Sequence, residues 1–144
     1  MDANGRELIE KELTFQVVGC AMAVLNVLGH GLREKTYERA LCVEFQHQGI
    51  SFKQQHSYPV FYRGEHIDDY IPDLETENRL IVEIKTVDKI IDEHIGQVLN
   101  YLKISGHEVG VILNFKHAKL EWKKIVLQKR NRESTRIDAN LQQG

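Results

Sequence analysis

The sequence predicts an α/β fold: one mixed β-sheet flanked by helices, in the order α-α-β-β-β-α-β. Three observations point there. Apolar residues recur at helical spacing over the first third of the chain. The period then shortens to that of strands. Finally, two short strands enclose a helical stretch at 91–105: 79–86, whose Leu80–Ile84 is apolar on both faces apart from Glu83, and the similar 109–115. Strands without a polar face are covered above and below. A strand–helix–strand unit implies a parallel pair with a right-handed crossover.

The elements follow in order. Over residues 6–28, Leu8, Ile9, Leu13, Val17, Cys20, Ala21, Val24, Leu25 and Leu28 define a helix with one buried face, broken by Gly29 and Gly31. A second helix over about 33–48 carries Tyr37, Ala40, Leu41 and Phe45 and ends at Gly49. Residues 57–62 and 66–76 are expected as strands joined by a turn at Arg63-Gly64-Glu65, and Glu77-Asn78 turns the chain into strand 79–86. These three strands are expected as a meander. The helix 91–105 places Ile91, Ile95, Val98, Leu99 and Leu102 on its apolar stripe and ends at Gly106, and a last strand runs from 120 to 127. Beyond it periodicity is lost, so residues 1–128 are expected as a single domain and 129–144 as a basic, disordered tail.

Composition narrows the function classes. The chain has 144 residues, 42% apolar and 28% charged, as ordinary soluble domains have. No apolar run approaches the roughly 20 residues of a membrane span, and the first residues lack a signal-peptide layout. No membrane association is expected. Cys20 and Cys42 are the only cysteines. Both fall in helical patterns, as free thiols of a reducing compartment would, and a cytoplasmic location is expected. The net charge of −2 excludes a uniformly basic nucleic-acid binder. It is unevenly spread: residues 116–144 carry eight Lys/Arg against three acids, leaving −7 on the first 115. An acidic body is compatible with a carboxylate metal site. The basic end suits either phosphates or a solvated tail.

The chemistry-bearing residues concentrate in 72–85, Pro-Asp-Leu-Glu-Thr-Glu-Asn-Arg-Leu-Ile-Val-Glu-Ile-Lys. Strand alternation points Glu83 and Lys85 to one side and Leu80, Val82 and Ile84 to the other. Asp73, ten residues earlier, can reach the Glu83 side from the neighbouring strand, and Glu75 shares its face. A carboxylate and an ammonium on a central strand are costly to bury unless paired or metal-bound. Spacing alone suits a solvent-open ion pair at a strand end equally well. Glu34, three and seven residues before Tyr37 and Leu41, is placed on the second helix's buried stripe. A first-turn acid left in water near the helix dipole is the plainer alternative. On helix 91–105, His94, Gln97 and Tyr101 share an edge, which by pattern alone reads as helix surface with a half-buried tyrosine. His30 between two glycines reads as a loop residue. The other histidines lack paired zinc spacing, and neither a phosphate-cradling glycine loop nor a Gly-x-Ser-x-Gly elbow is present.

Together these residues resemble the GxxExxY protein family, a branch of the PD-(D/E)xK nuclease-like superfamily. The name motif is Gly31-Leu-Arg-Glu34-Lys-Thr-Tyr37. The resemblance extends from about Val17 to Val126 through Glu38-Arg-Ala-Leu-Cys-Val-Glu44, Tyr58-Pro-Val-Phe-Tyr62, Asp73, Val82-Glu83-Ile84-Lys85, Gln97-Val-Leu-Asn-Tyr101 and Val109-Gly-Val-Ile-Leu-Asn114-Phe. It implies a restriction-endonuclease-like core and metal-assisted hydrolysis of nucleic-acid phosphodiesters, DNA before RNA, with Mg²⁺ or Mn²⁺ as cofactor. Asp73 and Glu83 would be metal ligands beside the Ile84 carbonyl, with Glu34 as a further helix-borne acid. Lys85 would position or help deprotonate the attacking water, or stabilise charge on the phosphate, and Gln97 and Tyr101 match an element placed near substrate. Pro72 and Glu75 depart from the branch's usual pattern, Glu75 as a supplementary ligand or an exposed acid. A second copy or a protein partner would supply grip on nucleic acid. The competing reading is a non-catalytic nucleic-acid-binding or protein-assembly module on the same fold.

Overall fold

The computed structural model describes residues 8–128; the expected basic tail lies outside the described residues. Two helices open the chain, α1 (Lys11–Leu28) and α2 (Glu34–Gln48). Strands β1 (Phe52–Gln54), β2 (Tyr58–Tyr62), β3 (Glu65–Tyr70), β4 (Leu74–Thr76) and β5 (Leu80–Lys85) follow. Helix α3 (Asp92–Ser105) then leads to β6 (Val109–Asn114) and β7 (Glu121–Val126). Five strands form one sheet in the order β1-β4-β5-β6-β7, and only β5 and β6 are parallel. The mixed sheet flanked by helices agrees with the expected fold class.

The alternation of β5 sorts the core. Leu80, Val82 and Ile84 join Val111 and Leu113 under α1 and α2, where Val17, Ala21, Tyr37, Leu41 and Phe45 are fully buried. Ile81 joins Ile112 and Ile125 under Val98 and Leu102 of α3. Burial of this many large apolar side chains, each worth about 1.5–3 kcal/mol, holds the layers together. Gly110 permits α3 to lie this close: a Cβ there would come within 2.7 Å of Val98 Cγ1.

Three expectations are corrected. The stretch 66–76 is not one strand. Pro72, which lacks an N–H, falls at a break between β3 and β4. As a result β2 and β3 form their own two-stranded sheet, and the expected three-strand meander is divided between two sheets. In its place the unanticipated β1 pairs with β4. Both tight turns occur where expected, with positive φ at Arg63 and Gly64 in a two-residue loop and at Glu77 and Asn78 in a three-residue one. Finally, α1 is long and apolar enough to cross a membrane by length and composition, with a mean hydropathy of 1.3. Its Leu13, Val17, Ala21 and Val24 are buried in the core, so the same apolarity is accounted for by the fold.

Candidate active site

The site forms where β4 begins and β5 ends. The β4–β5 ladder stops at Leu74–Val82, because the chain turns off the sheet at Pro72. Asp73 takes over from the missing strand. Its Oδ2 accepts the Ile84 N–H at 2.8 Å, and its own N–H donates to Glu83 Oε2 at 2.7 Å. Each residue thus fixes the other, and the two carboxylates are held together on the α3 side of the sheet.

This closeness is electrostatically unfavourable. Glu83 is 4% exposed. Burial, and then the Asp73 charge, push its carboxyl up to about 8, while the Asp73 N–H and Lys85 pull the other way. Asp73 is also raised, first by burial and further by Glu38 and Glu34, against the lowering effect of the Ile84 N–H and Lys85. Among the described residues Lys85 is the cation that acts on both acids, and its Nζ donates to Gln97 Oε1 at 3.2 Å. Tyr101 lies one helical turn beyond Gln97. Its hydroxyl is raised to about 12 by burial and then by Glu83 and Asp73, which brings it into the field of the same acids.

Glu34 differs from its expected place. It is exposed at the first turn of α2, not on the buried stripe, yet it reaches the site's edge. Its Oε2 accepts the Thr86 N–H at 3.0 Å and lies 3.4 Å from Thr86 Oγ1. The turn that presents it is clamped by Tyr37, which is fully buried and stacked on Phe115 at 4.4 Å. The Tyr37 hydroxyl donates to the Gly29 carbonyl at 2.7 Å and accepts the Leu32 N–H at 3.1 Å, and Gly31 supplies a φ of 99°. The Gly31–Glu34–Tyr37 spacing therefore has a mechanical meaning. Glycine allows the turn, tyrosine locks it, and glutamate ties it to the residue after Lys85.

Two residues were missed. Glu38, one turn after Glu34, is the acid that α2 buries, at 4% exposed, held by Lys35, Gln54 and Gln55. Thr86 is the second, the donor to Glu34. Glu75, expected as a ligand or an exposed acid, is buried and engaged by the Tyr58 hydroxyl and by His107 Nε2 at 3.2 Å. His94 closes the α3 N-terminus through Nδ1 on the Ile91 N–H, and His30 is exposed in its loop.

Among the described residues no three His, Cys, Asp or Glu side chains are arranged to hold a metal ion. A divalent ion of the Mg²⁺ class needs fewer protein donors. It binds through one or two carboxylates and keeps several waters. Asp73 and Glu83, two hard oxygen donors whose mutual repulsion a cation would relieve, fit that requirement.

The fold and this carboxylate–lysine centre define a protein of the PD-(D/E)XK nuclease class. The chain belongs to the PD-(D/E)XK nuclease superfamily, whose family model matches residues 11–125. No curated protein matches the sequence. Among solved structures, that of SSO0001 is similar at 16% identity with a TM-score of 0.53, covering 96% of this chain and 70% of that one, which bears on fold alone. An alkaline exonuclease (LHK-Exo) from Laribacter hongkongensis aligns at 12% identity with a TM-score of 0.47 over 85% of each chain.

Proposed function

We propose that the protein is a nuclease of the GxxExxY branch that uses Mg²⁺ or Mn²⁺ to hydrolyse phosphodiester bonds in nucleic acid, DNA before RNA, in the cytoplasm. The observation that carries this reading is the paired Asp73 and Glu83 carboxylates at the end of β5, with Lys85 the cation acting on both. Asp73 and Glu83, with the Ile84 carbonyl beside them, would hold the ion. When bound, it polarises the phosphate and acidifies a water. Lys85 orients that water or offsets charge gathering on the phosphate, and Gln97 holds its ammonium in place. Glu34 acts through Thr86, fixing the backbone from which Lys85 projects. The acidic body favours a second copy or a protein partner as the source of additional grip on nucleic acid.

The test compares the wild type with Asp73→Ala and Lys85→Ala on single-stranded DNA, duplex DNA and RNA, with and without Mg²⁺ or Mn²⁺. Metal-dependent cleavage by the wild type, reduced at least 100-fold in both variants, is expected. Cleavage that persists in both would remove the assigned centre. A wild type that binds nucleic acid and never cuts would leave the non-catalytic module.

A further inference from the structure

Beside the carboxylates lies an open cleft of about 490 Å³, lined by Tyr70, Glu93, Gly96, Gln97, Asn100 and Tyr101. Its volume is within the roughly 300–1,000 Å³ of small-molecule sites. We propose that this cleft is a nucleobase subsite, in which an unpaired nucleotide of a DNA strand stacks on an open ring face of the Tyr70–Tyr101 pair while the adjoining phosphate lies at Lys85. The proposal rests on the nuclease reading and assigns its substrate class, a single-stranded end or gap.

Four features support it. The cleft shares Gln97 with the centre, since the Gln97 side chain that lines it also accepts the Lys85 ammonium. Base and phosphate therefore have adjacent places. The rings of Tyr70 and Tyr101 meet edge-to-face, centroids 5.2 Å apart and planes at 87°. In that arrangement the ring presenting its edge keeps its faces uncovered by its partner, as a stacking platform requires. The lining contains one carboxylate, Glu93, and no cation. It therefore repels phosphate and suits a neutral base, whose edge the exposed Asn100 amide can meet as donor or acceptor. Finally, Gly96 leaves the cleft floor bare in mid-helix, where glycine costs about 1 kcal/mol relative to alanine; a Cβ there would meet nothing within 4 Å.

The hairpin carrying Tyr70 is anchored where this role needs it. Tyr58 is the cross-strand partner of Tyr70, and its hydroxyl donates to the buried Glu75 carboxylate. His107 Nε2 lies 3.3 Å from that hydroxyl and 3.2 Å from Glu75, and His56 Nδ1 lies 3.8 Å from Glu75. One tyrosine fixes the hairpin base to the main sheet, and the other faces α3.

The experiment uses the full chain and a short DNA single strand with 2-aminopurine at its terminal position. Fluorescence is read in Ca²⁺, hydrolysis of the same strand in Mn²⁺, and a blunt duplex of the same sequence is the comparison. Expected results are quenching by the wild type, weaker binding of the blunt duplex, and a Kd raised roughly tenfold by Tyr70→Ala, with Tyr70→Phe close to wild type. In hydrolysis Tyr70→Ala raises KM and leaves kcat nearly unchanged. Gly96→Leu, which fills the cleft from a position with open space, gives the same loss without depending on the hairpin. Hydrolysis with unaltered binding and KM in Tyr70→Ala and Gly96→Leu would overturn the subsite and leave the nuclease reading intact. Quenching that requires Tyr70, without hydrolysis, would retain the subsite and overturn the nuclease. Neither quenching nor hydrolysis would overturn both.

Discussion

Glu83→Gln in metal-free protein is expected to raise stability at neutral pH, against the usual effect of altering a buried, hydrogen-bonded residue. Burial, and then the Asp73 charge, push the Glu83 carboxyl up to about 8 in the fold, from an ordinary 4.5. The native state therefore keeps a proton that the unfolded chain releases above pH 4.5. Stability falls as pH rises through that interval and levels off above about 8. At about 1.4 kcal/mol per pH unit, the wild type has lost about 3 kcal/mol by pH 7. Glutamine carries no charge, and its carbonyl oxygen still accepts the Asp73 N–H that Glu83 Oε2 accepts. Its buried amide costs about 1 kcal/mol. The net gain is about 2 kcal/mol, a rise of roughly 6 °C in Tm for a chain of this length. The assay is thermal unfolding from pH 5 to 9 in chelator and again in Mn²⁺. The wild type should lose stability toward alkaline pH in chelator and recover it with Mn²⁺, because a cation bound only to the fold stabilises it. Glu83→Gln should show a flatter profile and little response to Mn²⁺. A variant less stable than the wild type at pH 7, with an unchanged pH profile, would refute the account of a carboxylate strained by burial and by Asp73.

Three further outcomes follow from local contacts. Asn114 is fully buried. It accepts the Val87 N–H at 3.0 Å and donates to the Val87 carbonyl and Glu121 Oε1, each at 2.8 Å. Asn114→Leu should cost about 2–4 kcal/mol in urea unfolding by stranding those groups. Gly110→Ala brings a methyl within 2.7 Å of Val98 Cγ1 and should cost about 1–3 kcal/mol, part of which Val98→Ala should restore in a double-mutant cycle. Tyr37→Phe removes the hydroxyl that joins Gly29 to Leu32. It should cost about 1–2 kcal/mol and speed amide exchange at Leu32.

The sequence was most legible where one local rule decides the structure. Gly29, Gly49 and Gly106 end helices with positive φ, and each helix's C-terminal end could be read from a glycine after an apolar stripe, whereas the first helix starts at Lys11 and not at residue 6. The two-sided apolarity of 80–84 and 109–113 placed β5 and β6 side by side. Legibility failed where a tertiary contact decides. Phe52–Gln54 is three residues long, too short for a period, and exists as a strand because β4 offers it an edge. The Tyr37–Leu41–Phe45 stripe was found, but it marks only apolar burial. Glu38 is buried because Gln54 and Gln55 reach it from 16 and 17 residues away, and no helical wheel displays such partners. For Glu75, alternation gave the face correctly, but not that Tyr58 and His107 would cover it.

The same contrast bears on how the centre is built. Asp73 and Glu83 repel each other when both are ionised, and neither apolar burial nor a counterion within the pair holds them together. The structure uses backbone geometry. Pro72 ends one strand early, the stranded Ile84 N–H donates to Asp73, and the Asp73 N–H donates to Glu83. Glu34 extends the scheme one residue past Lys85 by taking the Thr86 N–H. The β5 exit is thus tied on both sides, by a carboxylate from β4's start and a carboxylate from α2's start. Three backbone N–H groups, at Asp73, Ile84 and Thr86, each find a carboxylate acceptor. Charge-assisted bonds of this kind are roughly twice as strong as neutral ones, and with the Lys85 ammonium acting on both acids they let the fold sustain the close pair. Such an arrangement fixes the two side chains in place by backbone bonds alone and leaves the cost of ionising both of them unrelieved.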